Sequence, residues 1–200
     1  MEIKETVGKS REYKYIELPK AKYHLLEGPL EEGIVQVGLD AFGQGMTRKE
    51  ILEHILPTDM LHIAYNKQGI VGFATAMLKK DAIDLVGAAV KKKVQGSGVY
   101  SCFSLRRINF GINRGRKKVV LRTQNPKVEL GVRVCLDSLV KVGLISGYNV
   151  NRELRPNLYG RILTAAQPYC GIEEIDSLYA PLRYQRGDAY ALEFALEARE

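Results

Sequence analysis

The segment LVGAAVKKKVQGSGVYSCFSLRRINFGINRGRKKVVLRTQNP, Leu85–Pro126, decides how this chain is read. It opens on an apolar run, Leu85 to Val90, with the composition of a buried strand. A glycine-bearing loop, Gln95-Gly96-Ser97-Gly98, follows and leads into a long helix-compatible stretch. A second apolar run, Val119-Val120-Leu121, then ends at Thr123-Gln124-Asn125-Pro126. No Asp or Glu lies between Leu85 and Val128, while Lys91, Lys92, Lys93, Arg106, Arg107 and the basic cluster from Arg114 to Lys127 all do. Backbone N–H groups at a helix N-terminus in such a field predict a phosphate-binding site, from Val94 to Val99. Gly96 and Gly98 would let the backbone approach the phosphates.

The predicted unit is strand, phosphate loop, helix, strand. A Walker-type loop needs a Gly-Lys-Ser/Thr end, which is absent. A dinucleotide site needs three spaced glycines and an acidic residue after the next strand, where this chain has Arg122-Thr123-Gln124-Asn125. What remains is Gln-x-x-Gly-x-x, beginning five residues after the strand-terminal Val90. This resembles the acetyl-CoA loop of the GNAT superfamily of N-acyltransferases, with Val90, Gln95 and Gly98 matching and Tyr100 standing where Gly or Ala is usual. Asn125 at the end of the following strand also matches, and Lys141-Val142-Gly143-Leu144 is similar to the Lys-x-Gly-Phe that closes the family's next helix. The resemblance spans about Tyr13 to Leu144.

The resemblance implies an α/β fold (α+β by strict layer rules), with a mixed, mostly antiparallel sheet flanked by helices and the acetyl-CoA loop between strand four and the next helix. It implies acetyl-CoA as co-substrate, held by Ala88, Val90, Gln95, Gly96, Ser97, Gly98, Val99 and Asn125. Asn125 would contact the pantetheine arm, which enters where strand four, with Gly87 inside it, splays from its neighbour. The backbone N–H groups near Ala88 to Val90 would polarise the thioester carbonyl. An Asn-Pro turn opening a helix explains Asn125 equally well. Of the basic side chains, Lys91 to Lys93 read as a solvated loop face, and one of them, or Arg106 or Arg107, is a candidate for the 3′-phosphate.

The catalytic residues are less legible. Members of the family often carry an acid tyrosine four residues before the glycine of Lys-x-Gly-Phe, and here that position is Leu139. Cys135, Ser138, Tyr148 and Tyr159 are substitutes by proximity, with Tyr148 the one carried forward. Asp84, on strand four, is the candidate base; its plainer reading is a solvent-facing strand residue.

Around this segment the chain reads as one domain, 1–200, with an extended irregular part at about 144–188. Tyr13 to Leu18 predicts a first strand. Helices follow over Glu31 to Phe42 and behind the capping box Thr47-Arg48-Lys49-Glu50. The segment between them, Phe42 to Met46, is where the family often shapes its acceptor pocket. Met60 to Tyr65, Ile70 to Leu78 and Ala82 to Val90 read as strands. Val99 to Gly115 reads as a helix with Val99, Cys102, Phe103 and Phe110 inward. Lys118 to Arg122 is the next strand, and a helix over about Val128 to Val142 is capped by Gly143. Leu144 to Val150 is a candidate strand, and the alternation Tyr190, Leu192, Phe194 gives the last one.

The 200 residues are 46% apolar and 26% charged, enough for a sizeable core. The charged N-terminus is no signal peptide, and no apolar run approaches the ~20 residues of a membrane span. Three scattered cysteines fit free thiols in a cytoplasmic protein. The formal net charge of +7 suggests an anionic partner, which a small polyanion satisfies as well as nucleic acid does. The reading is therefore an acetyl-CoA-dependent N-acetyltransferase acting on a primary amine of unknown identity, without metal or membrane and with a homodimer allowed. Two rivals stand beside it: a domain that binds acyl-CoA without turnover, and a nucleic-acid-binding module using the basic stretch 91–122. Nucleic acid is the weaker reading, because the charge surrounds a loop and is not interleaved with aromatic residues.

Overall fold

Seven strands form one mixed sheet in the order β1-β2-β3-β4-β5-β7-β6. The computed structural model describes residues 12–43, 46–159 and 168–198. The strands are β1 (Lys14–Pro19), β2 (Met60–Asn66), β3 (Gly69–Leu78), β4 (Ala82–Val90), β5 (Lys118–Thr123), β6 (Gly147–Arg155) and β7 (Ala189–Glu197). The helices are α1 (Pro29–Phe42), α2 (Arg48–Ile55), α3 (Val99–Ile112), α4 (Pro126–Lys141) and α5 (Glu173–Tyr179). The chain packs as two compact units, Met1–Met77 with Val86–Arg107, and Leu78–Leu85 with Ile108–Glu200. The division falls within β4 and within α3.

In the first unit, β1 and β2 pair antiparallel with Leu18 opposite Leu61 and Glu17 opposite His62. β2 and β3 pair antiparallel with Leu61 opposite Thr75 and His62 opposite Ala74. Side chains alternate across a strand, so this register sorts the sheet into two faces. Leu18, Leu61, Ile63 and Phe73 pack with Ile34, Val35 and Val37 of α1 and with Ile51 and Ile55 of α2. Ala64 and Ala74 pack with Val99 and Phe103 of α3. Each Val, Leu, Ile or Phe side chain among these, fully buried, contributes about 1.5–3 kcal/mol. The expected capping box opens α2: Glu50 N–H donates to Thr47 Oγ1 at 3.2 Å and Thr47 N–H to Glu50 Oε2 at 2.8 Å.

In the second unit, the start of β4 pairs parallel with β5, Ala82 opposite Lys118. β7 pairs antiparallel with both β5 and β6. Ile83, Val119, Leu121, Leu192 and Phe194 of the strands are buried, as are Val132, Leu136 and Leu139 of α4. α4 ends as expected at Gly143, whose φ is 71°. Leu144 N–H donates to the Leu139 carbonyl and Gly143 N–H to that of Val140, each at 2.9 Å, the pattern of a Schellman cap.

The largest departures from expectation lie late in the chain. β6 runs from Gly147 to Arg155, shifted C-terminal to the expected Leu144–Val150 and well into the stretch that reads as irregular. Its partner explains the shift. β7 is a strongly alternating strand, and it pairs with all of Gly147 to Arg155. Within α3 the half-exposed Cys102 is less inward than expected, while Ser104, Arg107 and Ile108 are buried. The acceptor-pocket segment Phe42 to Met46 includes Gln44 and Gly45, which lie outside the described residues.

Candidate functional site

The loop after β4 is built by its own short hydrogen bonds. Val94 N–H donates to the Lys91 carbonyl, Gln95 N–H to that of Lys92 and Ser97 N–H to that of Val94. The Gln95 side chain reaches back 3.2 Å to the Val90 carbonyl and braces the loop against the strand end. Gly96 and Gly98 have φ values of 82° and 89°, a region that favours glycine. The first helical bond of α3 runs from Cys102 N–H to the Gly98 carbonyl. The N–H groups of Gly96, Gly98 and Val99 have no acceptor among the described residues. Ser97 Oγ is buried without a partner among the described residues, and the first turn of α3 has no acidic residue. Open donors, an orphaned hydroxyl and the positive end of a helix dipole suit a pyrophosphate. The residues present therefore fit the diphosphate of a CoA.

The field around the loop is less positive than the sequence suggests. Asp40 of α1 accepts the Lys92 N–H at 2.6 Å. Arg106 donates to Glu17 at 3.0 Å and lies 4.7 Å over the Tyr15 ring. Arg107 is 1% exposed, with its guanidinium on backbone carbonyls of Phe103, Thr75 and Gly87. Neither arginine therefore presents itself to a 3′-phosphate, and Lys91, Lys92 and Lys93 are the basic side chains left beside the loop. In the second unit Lys118 pairs with Asp81 and Glu193, and Arg122 with Asp84. A stretch without carboxylates in sequence acquires them from other elements. That weakens the nucleic-acid reading, as does the use of late tyrosines as internal anchors: Tyr184 Oη donates to the Gln124 carbonyl, Tyr159 Oη to that of Arg122 and Tyr190 Oη to that of Leu178.

β4 is buried at both ends and half-exposed at Val86, Gly87 and Ala88. An interior strand open at its centre is an approach to the backbone. A Cβ on Gly87 would meet only Thr75 Oγ1, at 3.7 Å, so no close neighbour among the described residues demands glycine there.

His62 is fully buried on the α3 face of β2, its ring nitrogens without hydrogen-bond partners among the described residues. Burial pushes its pKa down to about 3, reinforced by the charges of Arg107 and Arg106. The Glu17 carboxylate at 3.7 Å opposes this, but it is half-exposed and shared with Arg106.

In the second unit, Asn125 is the N-cap of α4. Its Oδ1 accepts the Lys127 N–H at 2.9 Å, as the Asn-Pro reading expects, and its Nδ2 has no acceptor among the described residues. Asp84 is buried, not solvent-facing, with Arg122 at 3.5 Å. It lines a cavity of about 250 Å³ together with Arg122, Asn151, Glu153 and Glu193. A larger cavity, about 480 Å³ between Leu154 and Asp188, contains none of the predicted site residues.

The substitutes for the acid are engaged elsewhere. Tyr148 Oη donates to Asp137 Oδ1 at 2.8 Å, and burial together with that carboxylate pushes its pKa up to about 12. Ser138 Oγ donates to the Val134 carbonyl and Tyr159 Oη to that of Arg122. Cys135 is buried, and Leu139 is 2% exposed, a core residue of α4.

Two buried charges are held in ways the sequence did not lead one to expect. One is Arg107. The other is Glu129 of α4, fully buried and accepting from Arg133 Nε at 2.9 Å, Arg152 Nε at 3.1 Å and Tyr179 Oη at 3.0 Å. Burial works to raise the Glu129 carboxyl, but Arg152, Arg133 and Tyr179 together hold it below its ordinary value. Both charges sit on apolar helical stripes, Phe103-Arg107-Phe110 and Glu129-Val132-Leu136-Leu139. A charge in register with a stripe is the signal that would have found them.

An open mixed sheet with a glycine-bearing loop running from its central strand into a helix N-terminus defines the class of fold. Solved structures make it specific. Over 94% of this chain and 97% of the other, it matches the ribosomal-protein-S18-alanine N-acetyltransferase of Escherichia coli with a TM-score of 0.58 at 14% identity. A Bacillus subtilis acetyltransferase in complex with CoA matches over 92% of this chain and 99% of its own, with a TM-score of 0.56 at 15% identity. A GNAT family acetyltransferase from Elizabethkingia anophelis with acetyl-CoA bound matches over the same shares, 92% and 99%, at 0.55 and 17%. No family model matches the sequence, and no curated protein does. The chain has the GNAT fold. No described helix is long and apolar enough to cross a membrane, and among the described residues no group of His, Cys, Asp and Glu is placed to hold a metal ion.

Proposed function

We propose that this protein is an acetyl-CoA-dependent N-acyltransferase acting on a primary amine. The observation that carries the reading is the loop from Val94 to Val99, with its open N–H groups, orphaned Ser97 hydroxyl and following helix dipole. Gly96, Gly98 and Val99 would bind the pyrophosphate through backbone N–H, with Asn125 Nδ2 on an amide oxygen of the pantetheine arm. Backbone N–H groups from Ala88 to Val90 would polarise the thioester carbonyl. In the reaction the neutral amine nitrogen attacks the carbonyl carbon, the C–N bond forms, the C–S bond breaks and CoA leaves as the thiolate, which the proton given up by the amine then converts to the thiol. Asp84 would take the proton the amine must lose, since it lines a cavity with room for a small acceptor. Three free cysteines fit a reducing, cytoplasmic setting.

Two observations favour a second reading, a domain that binds acyl-CoA without turnover: Leu139 replaces the usual acid, and Tyr148 already donates to Asp137. A paired experiment separates the two. CoA should raise the melting temperature by mass action, and an acceptor screen following thiol release from acetyl-CoA should find turnover. No thermal shift at millimolar CoA defeats both readings. A shift without thiol release from any acceptor leaves the non-catalytic one.

A further inference from the structure

Arg107 lies on α3, 1% exposed, between the apolar side chains Phe103 and Phe110 of its own stripe. Desolvating a guanidinium costs several kcal/mol, and an apolar residue on that stripe would pack more cheaply. Its contacts show what the charge does. Nη1 donates to the Thr75 carbonyl of β3 at 3.3 Å and to the Gly87 carbonyl of β4 at 3.2 Å. Nε donates to the Phe103 carbonyl at 3.3 Å and Nη2 to Ser104 Oγ at 3.5 Å, which fix the plane of the group from the helix side. Two carbonyl oxygens from neighbouring strands thus converge on one nitrogen, at the level where β4 is half-exposed. Thr75 Oγ1, buried and without a partner among the described residues, lies 3.7 Å from where a Cβ on Gly87 would stand.

The peptide between Gly87 and Ala88 is planar and trans, so its oxygen and its N–H point in opposite directions. Holding the Gly87 oxygen toward β3 therefore turns the Ala88 N–H to the other edge of β4. Resting on the acyltransferase reading, we propose that Arg107 is a positioning residue for acyl transfer: by clamping the Gly87 carbonyl to β3, it presents the Ala88 N–H to the thioester carbonyl of bound acetyl-CoA. A donor fixed before the reaction stabilises the developing oxyanion without reorganisation, whereas a peptide free to rock loses that advantage.

The test is the carbonyl stretch of acetyl-CoA labelled with carbon-13 at the acetyl carbonyl, followed by isotope-edited infrared difference spectroscopy on the intact protein. Bound to the wild type, the stretch should fall below its value in water. In Arg107→Met it should return toward the water value while CoA affinity stays within a few-fold, because the pyrophosphate loop does not use Arg107. With an acceptor from the screen, kcat should fall on the order of 10²- to 10³-fold with little change in KM, the size expected for one lost oxyanion donor. Arg107→Lys, which keeps the charge but not the fork, gives an intermediate stretch and covers the case in which Arg107→Met does not fold. A shifted wild-type stretch that survives unchanged in whichever variant folds overturns the assignment. So does a wild-type stretch equal to that in water, which needs no variant. Absence of acetyl-CoA binding by the wild type instead defeats the acyltransferase reading itself.

Discussion

Gly98→Asp probes the loop most directly. Gly98 has a φ of 89°, where a side chain clashes with its own backbone. Such a residue stores roughly 1–3 kcal/mol of strain. For a chain of this size that lowers the melting temperature by about 2–4 °C per kcal/mol. Strain alone does not test ligand binding, so a matched control is needed. Gly43 has φ 75° and ψ −161°, and a Cβ there meets nothing within 4 Å. Gly43→Asp therefore brings comparable strain and the same charge outside the loop. At Gly98 the added carboxylate would face the pyrophosphate, with repulsion of roughly 1–4 kcal/mol at effective dielectric constants of ~80 to ~20. A tenfold change in affinity is about 1.4 kcal/mol, so CoA should bind about ten- to several-hundred-fold more weakly. Gly98→Ala should lose less, since it adds bulk without charge, and Gly43→Asp should stay within a few-fold of the parent. Calorimetric titration with CoA reads the affinities, and circular dichroism melts read the folding cost. A folded Gly98→Asp protein that binds CoA as tightly as the parent would refute the reasoning: the loop would then be only a turn.

His62 gives a pH signature. The unfolded chain takes up a proton near pH 6.5, the folded ring only near 3, so the unfolded state binds more protons between those values and stability rises with pH across that window. The slope is about 1.4 kcal/mol per pH unit at its steepest, or about 2 kcal/mol lost from pH 7 to pH 5. Denaturant melts of His62→Leu should show that dependence flattened, and an unaltered slope would mean the ring is not held neutral. Glu129→Gln should cost about 3 kcal/mol, because Arg152 and Arg133 lose a buried counter-charge while keeping partial access to water. A loss below about 1 kcal/mol in urea melts would show that the cluster is not needed for stability. Asp84→Asn should lower kcat by about 10²- to 10⁴-fold with CoA affinity unchanged, and unimpaired turnover would remove Asp84 as the proton acceptor.

The sequence by itself determined what depends on local chemistry and periodicity. β4 falls on the residues its composition predicts, the Thr47–Glu50 box closes as written, and Gly143 caps α4, because caps, glycine φ values and strand composition act over a few residues. The loop motif, Asn125 and the order of elements were enough to specify the GNAT fold. Only the tertiary structure decided the electrostatics. The carboxylates Asp40, Glu17, Asp81 and Asp84 reach a carboxylate-free stretch from elsewhere in the chain, so the charge of that stretch could not be read from its own residues. The length of β6 was likewise set by its pairing with β7, not by its own weak alternation. Arg107 and Glu129 stand between these two cases. Their positions on apolar stripes were visible in the sequence, but their roles depend on which carbonyls and guanidiniums meet them inside the protein. Desolvation makes those meetings matter, and desolvation is a property of the packed structure.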